Sequence, residues 1–187
     1  MNLKELSLPL SVEDVEFRIQ SINKGGFATL LAYKDARVDM NRLDKVVGAI
    51  NWKREHFLIN GSMYCRVSIF NESTNEWVSK EDCGTPSMTE KEKGLSSDAF
   101  KRACTNWGIG RELYSYPRMQ IKLLPNEFTI VNGKSKQTYD LKLSDWRFGI
   151  VHDKDGNVVD FCLWHSNYIR FRQKDGKTIN QPIKMKK

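Results

Sequence analysis

Residues 52–83 constrain this chain most. Three strand-like runs, about 52–59, 62–70 and 76–83, are separated by Asn60-Gly61 and by Asn71-Glu-Ser-Thr-Asn75. Asn-Gly between apolar alternations is the strongest short hairpin signal, because both turn positions need positive φ. The segment is expected to be an antiparallel meander, which must bury one face against another element.

The flanking patterns supply candidates for that element. Ser11 with Asp14 three residues on has the form of an N-terminal cap, and Val12, Val15, Ile19 and Ile22 keep helical spacing as far as Lys24-Gly25-Gly26, predicting a first helix over about 12–23. Phe27-Ala-Thr-Leu-Leu-Ala-Tyr33 reads as a strand, and Met40, Leu43, Val46, Val47 and Ile50 mark one face of a second helix opened by Asp39. After the turn-rich Gly84-Thr-Pro-Ser-Met-Thr89, a third helix is expected over about 90–107, ended by Gly108-Ile-Gly110. Weaker strands follow near 127–131 and 137–143. A hairpin then pairs 146–152 with 158–164 around Asp153-Lys-Asp-Gly-Asn157, and a last strand covers 167–172. The fold class is α+β, with no internal repeat.

A chain of 187 residues, 40% hydrophobic and 11% aromatic, is read as one globular domain rather than a disordered or fibrous one. Its expected parts are a core of about 11–122, a C-terminal β extension of about 123–172 and a basic tail, 173–187. No apolar run approaches the roughly 18–20 residues of a membrane helix, and Met-Asn-Leu-Lys-Glu-Leu is not a signal peptide, so a cytoplasmic protein without membrane contact is expected. Cys65, Cys83, Cys104 and Cys162 form no C-x-x-C pair, which argues for reduced thiols rather than a zinc site or disulfide framework.

The formal net charge of +7 is unevenly spread. Residues 1–92 hold 12 basic and 14 acidic side chains, 93–122 hold 6 and 2, 123–167 hold 5 and 6, and the last twenty hold 7 and 1. Localised positive charge suits a phosphate backbone, whose neutralisation releases counterions. For the tail, a solvated segment and a binding segment are both open readings.

The internal basic stretch lies on the third helix. At 100° per residue, Leu95, Ala99, Ala103, Trp107, Phe100 and Cys104 form one half of the wheel; Ser97, Lys101, Thr105, Asp98 and Arg102 form the other. The first half belongs in the core, leaving Lys101 and Arg102 on the open side, with Arg111, Tyr114, Tyr116 and Arg118 directly after. Fixed cations beside rings on which unpaired bases stack are the equipment of a single-strand binder. The same spacing also fits a solvated helix face with Tyr114 and Tyr116 in the core, so composition and spacing alone stop at a basic α+β domain.

The segment Glu92-Lys-Gly-Leu-Ser-Ser-Asp-Ala-Phe-Lys-Arg-Ala-Cys-Thr-Asn-Trp-Gly-Ile-Gly-Arg-Glu-Leu-Tyr114 resembles the signature of the Rad-fifty-two superfamily of single-strand annealing proteins, specifically the phage branch known as Sak. Arg18, Ala36-Arg37-Val38, Asn51-Trp52, Tyr64-Cys-Arg-Val-Ser-Ile-Phe70 and Glu81-Asp-Cys-Gly84 follow the family's order, so residues of about 11–122 are covered. Trp146-Arg-Phe-Gly-Ile-Val151 and the hairpin after it resemble phage members only.

The resemblance implies an N-terminal helix, then a β-β-β-α core, assembled as a homo-oligomeric ring or arc. It implies single-stranded DNA in a basic outer groove and annealing of complementary strands without ATP, as in recombination and repair. In that family a Lys-Arg pair lines the inner groove, matching Lys101 and Arg102 here, and a first-helix arginine matches Arg18. Lys53, Arg54, Arg66, Arg111 and Tyr114 complete the candidate DNA-binding set. A single-strand-binding protein and a recombinase are candidate partners. Gly108-Ile-Gly110-Arg111 departs from the Gly-Asn-rich turn of the eukaryotic branch, and the family's long C-terminal recruitment region is expected to be missing.

No cofactor, metal or catalytic residue is expected. Gly133-Lys-Ser and Gly176-Lys-Thr have the end of a phosphate-binding loop, but Phe128 and Phe171 stand where its first glycine belongs. Asp140-Leu-Lys142 and Asp175-Gly-Lys177 are too common a form to mark a nuclease, and adjacent Glu81 and Asp82 on a strand would face opposite ways. His56, His152 and His165 share no ligand spacing. The alternatives to the annealer are a metal-dependent nuclease and a non-annealing ring protein that binds nucleic acid or partners.

Overall fold

The structure, a computed structural model, describes residues 2–85 and 91–185, without the side chains of 91–93; part of the expected turn 84–89 lies outside these residues. The chain divides into two compact units, one of residues 1–14 with 34–112, the other of 15–33 with 113–187.

In the first unit, 3-10 turns at Leu3–Ser7 and Val12–Asp14 precede helix α1, Ala36–Val47. Asp35 caps α1 by accepting from the Arg37 amide, so the helix opens earlier than Asp39. It stops at Gly48, and Ile50, read as a helix-face residue, stands in the following turn 90% exposed. The meander forms as its sequence predicts: β3 (Trp52–Ile59), β4 (Ser62–Asn71) and β5 (Glu76–Cys83), antiparallel in that order. Asn60 and Gly61 both take positive φ, 50° and 79°. Helix α2, Lys91–Asn106, packs on β4 and β5. Its Ala99, Phe100, Ala103 and Cys104 meet Cys65, Val67 and Ile69 of β4 and Leu43 and Val47 of α1 in one buried cluster. Gly84 ends β5 where a Cβ would stand 2.4 Å from the Leu95 carbonyl, so only glycine lets the strand run this close beneath α2.

The second unit corrects the expected first helix. Residues Glu16–Ile22 are a strand, β1, paired antiparallel with β2, Phe27–Tyr33. The 3.6-residue spacing of Val12, Val15, Ile19 and Ile22 is outweighed by a period of two, in which Phe17 and Ile19 turn inward while Glu16, Arg18 and Gln20 stay exposed. β2 also pairs with β6, Met119–Lys122, a strand the sequence pattern does not reveal.

β7 (Phe128–Val131) matches expectation, but its partner β8 is Lys134–Gln137; the strand expected at 137–143 gives way to coil and a 3-10 turn, Leu143–Asp145. The predicted hairpin is β9 (Arg147–His152) with β10 (Val158–His165), extended by β11 (Tyr168–Lys174), β12 (Lys177–Ile179) and β13 (Ile183–Lys184). Gly133 and Gly176 occupy the β7–β8 and β11–β12 turns at positive φ, as hairpin glycines rather than parts of a phosphate loop before a helix.

The core of this unit is aromatic: Phe148 stacks on Phe161 and meets Phe17 edge-on, and Tyr116 packs against both phenylalanines of that stack. Buried Arg170 makes a bidentate pair with Glu127, at 2.8 and 2.6 Å, beneath the ring of Trp146. Each buried charge thus has its counter-charge in fork geometry.

Candidate nucleic-acid interface

Strand alternation decides which side of the meander each cation takes. Cys65, Val67 and Ile69 face α2, so their cross-strand partners Arg54 and Lys80 (opposite Val67) and Asp82 (opposite Cys65) share the helix side. Lys53 pairs with Ser68 and Arg66 pairs with Glu55 and Glu81, which places both cations on the other side. The predicted set is therefore divided: Arg54, Lys101 and Arg102 share one side of the sheet, Lys53 and Arg66 the opposite one.

Lys101 and Arg102 are both partly buried on the flank of α2. They diverge, as 100° of helical rotation requires. Arg102 reaches β5, its Nε 3.4 Å from Asp82 Oδ1, with its side chain 42% exposed. Lys101 instead acts on Asp39 of α1, where its charge favours the ionised carboxylate. Arg54 lays its guanidinium over the buried Phe100 ring at 4.8 Å, and Trp52 stacks on the same ring while donating to Asp44 Oδ1. This side thus holds three predicted cations on rigid elements around an apolar anchor.

Beyond the helix end, Arg111 donates from Nε and Nη2 to the carbonyls of Thr105 and Asn106, the last turn of α2. It is a helix cap, stabilising the negative end of the dipole. Lys80 does the same from β5, donating to Asn106 O at 2.8 Å with its ammonium 4.6 Å from the Trp107 ring centre. Trp107 is fixed in turn by its own donation to Val67 O. Lys80 was not singled out in the sequence, although alternation from Val67 places it here.

The far side of the meander has another character. Arg66 binds Glu81 Oε2 at 2.8 Å and covers the Phe57 ring, Phe57 stacks on Tyr64, and Lys53 sits over Trp77. Glu55 and Glu81 flank Arg66 in register, so its charge is answered locally. Adjacent Glu81 and Asp82 face opposite ways, as alternation predicts, each held by an arginine of its own side.

Two predicted residues belong to the second unit. Arg18 lies on β1, not on a helix, with its guanidinium 5.9 Å from the Tyr33 ring centre. Tyr114 is 74% exposed in the 3-10 turn Arg111–Ser115, while Tyr116 is half-buried against Phe148 and Phe161.

A feature no spacing signals is the buried ion pair of Lys34 and Asp39, 4% and 0% exposed. Burial pushes the Asp39 carboxyl from 3.8 up to about 6, opposed by Lys34, Lys101 and Cys104. Burial also raises the Cys65 thiol to about 11 and the Cys104 thiol well above its ordinary value, so both stay protonated. Among the described residues, no three His, Cys, Asp or Glu side chains cluster as metal ligands, and no helix is long and apolar enough to cross a membrane.

Residues 2–123 match the family described as Rad52/22 family double-strand break repair protein. The chain is similar to the single-stranded DNA-binding protein DdrA of Deinococcus radiodurans, 34% identical over 119 residues, which is 62% of this chain and 55% of the relative. It is similar also to DdrA of Deinococcus deserti, 32% identical over 121 residues, 63% of this chain and 59% of that relative. The chain thus spans a little over half the length of these relatives.

Proposed function

The chain belongs to the Rad52/22 family of double-strand break repair proteins, and from that premise we propose that it binds single-stranded DNA and anneals complementary strands without ATP. The observation that carries the reading is the seating of α2: its apolar half is locked on the meander while Lys101 and Arg102 project from its flank on the Arg54 side of the sheet. Cations on rigid elements bind phosphates with no backbone to order, only their own side chains, and phosphate contacts carry no sequence preference. The name of the Deinococcus relatives, single-stranded DNA-binding protein, supports the same ligand.

The mechanism follows from charge. Lys101, Arg102 and Arg54 would hold phosphates, neutralise strand self-repulsion and keep bases unpaired, so that a complement tests register along an extended template. No bond is broken and no catalytic residue is required. Repetition of this surface around a homo-oligomeric ring or arc, in the manner of the phage Sak branch, would make the groove continuous. A single-strand-binding protein or recombinase is the proposed protein partner, and the work of such a protein is intracellular.

The deciding experiment is a strand-annealing time course with labelled complementary oligonucleotides, without ATP or Mg²⁺, at low and high salt. Wild type should accelerate annealing strongly at low salt, and the double variant Lys101→Ala/Arg102→Ala should not. No acceleration by wild type sinks the annealing proposal; full activity in the double variant sinks the site.

A further inference from the structure

The sheet β9–β12 lies beyond residues 2–123, the part that matches the family. Its inner face is filled by Phe148, Phe161, Leu163 and Phe171, all buried. Alternation then turns Arg147, Trp164, Arg172, Lys174 and Lys177 to the outer face. A register shift between Leu163 and Trp164 leaves Arg170 as the extra residue, buried with Phe171, and keeps Arg172 and Lys174 outward.

Three features of this face point to one ligand. Four cations stand on it against Asp160, which binds Arg172 at 2.6 Å, and Asp175 in the neighbouring turn. Lys174 keeps 53% of its side chain exposed at 3.8 Å from Asp160; Arg147, which donates to the Ser144 and Trp146 carbonyls, and Lys177 are exposed. Gly149, opposite Cys162, leaves the strand bare where the six-membered ring of Trp164 lies across it, Cζ3 and Cη2 at 3.6 and 3.8 Å from where a Cβ would be. Trp164 is half-buried on this face, held against the strand with part of its ring left to meet a flat partner.

We propose that the outer face of β9–β12 is a second contact surface for single-stranded nucleic acid, with Arg147, Arg172, Lys174 and Lys177 on phosphates and Trp164 stacking an unpaired base. Charge decides the occupant. A second copy docking the same face on itself would oppose four cations to four cations, whereas a polyanion is complementary. Four strands about 4.8 Å apart make a platform roughly 14 Å wide, and stacking on it requires a base free of its complement. The proposal does not depend on Lys101 or Arg102 binding DNA.

The test uses the full chain and fluorescence anisotropy with labelled oligothymidylate and oligouridylate across a salt series. The triple variant Arg147→Gln/Lys174→Gln/Lys177→Gln should weaken binding by on the order of 10-fold at 0.1 M salt and flatten the log–log salt slope by about 2, from roughly 0.7 per lost phosphate contact. Trp164→Leu should weaken binding about 5-fold or more with the slope unchanged, as a stacking loss does. Both effects should persist in the Lys101→Ala/Arg102→Ala background, which separates this face from the α2 site. Unchanged affinity and slope in both variants, with circular dichroism and melting as in wild type, would overturn the proposal. So would a change of sedimentation without a change in binding, which would mark a self-association face. The two oligonucleotides report whether DNA or RNA is held more tightly.

Discussion

Arg102 Nε stands 3.4 Å from Asp82 Oδ1 across the gap between α2 and β5, so the arginine proposed for DNA is tethered by a carboxylate of the sheet beneath it. The pair is partly exposed, and such pairs contribute about 0–1 kcal/mol. Its consequence is positional: Asp82 holds the guanidinium over β5 and competes with phosphate for it. Asp82→Asn is expected to raise single-strand affinity about two- to fivefold at low salt, with stability changed by less than about 1 kcal/mol. Weaker binding in anisotropy titrations would show that Asp82 orients Arg102 rather than competes for it.

Removing both helix cations should cost function and spare the fold. Lys101→Ala/Arg102→Ala is expected to leave the denaturation midpoint nearly unchanged, since the apolar half of α2 makes the buried contacts. The log–log salt slope of binding should fall by about 1.4, two single-strand phosphate contacts at roughly 0.7 each. A slope equal to that of wild type would place the phosphates elsewhere.

The division of cations by sheet side gives a matched comparison. Arg54→Ala should weaken binding, whereas Arg66→Ala, whose charge is already answered by Glu81, should change affinity less than about twofold. Equal losses from the two variants would mean that DNA reaches both sides of the meander.

Trp107 is a stability residue. Its indole donates to Val67 O and underlies the Lys80 ammonium, so Trp107→Ala removes packing and a side-chain hydrogen bond to β4. The expected cost is about 3 kcal/mol by urea denaturation. Lost binding at an unchanged midpoint would assign the ring to DNA instead.

The raised Asp39 carboxyl makes stability depend on pH. Its folded value, about 6, lies above the ordinary 3.8. Between those values the folded chain holds a proton that the unfolded chain has released. The contribution is therefore fully present below about pH 4 and is lost as pH rises through 6. The stability of wild type minus that of Asp39→Asn should fall across this window and level off above it. A difference that grows with pH would mean that the Lys34 pairing outweighs desolvation.

What the sequence by itself determined is local. Asn60-Gly61 carries the turn conformation in its own residues, and the stripe of Ala99, Phe100, Ala103 and Cys104 carries the buried side of α2 in its period; both hold in the fold. The alternation that separates Glu81 from Asp82 is equally legible for Lys53 and Arg54, and it divides these cations between the two faces of the strand. Tertiary structure decided the rest. Residues 16–22 became a strand because β2 offered a pairing partner that a helical spacing could not outbid. Lys34 and Asp39 became a buried pair only where the fold removed water from both, and Arg111 became a cap only once α2 ended beside it. Pairing, burial and capping depend on groups distant in the chain or on where an element ends, and no window along the sequence contains them.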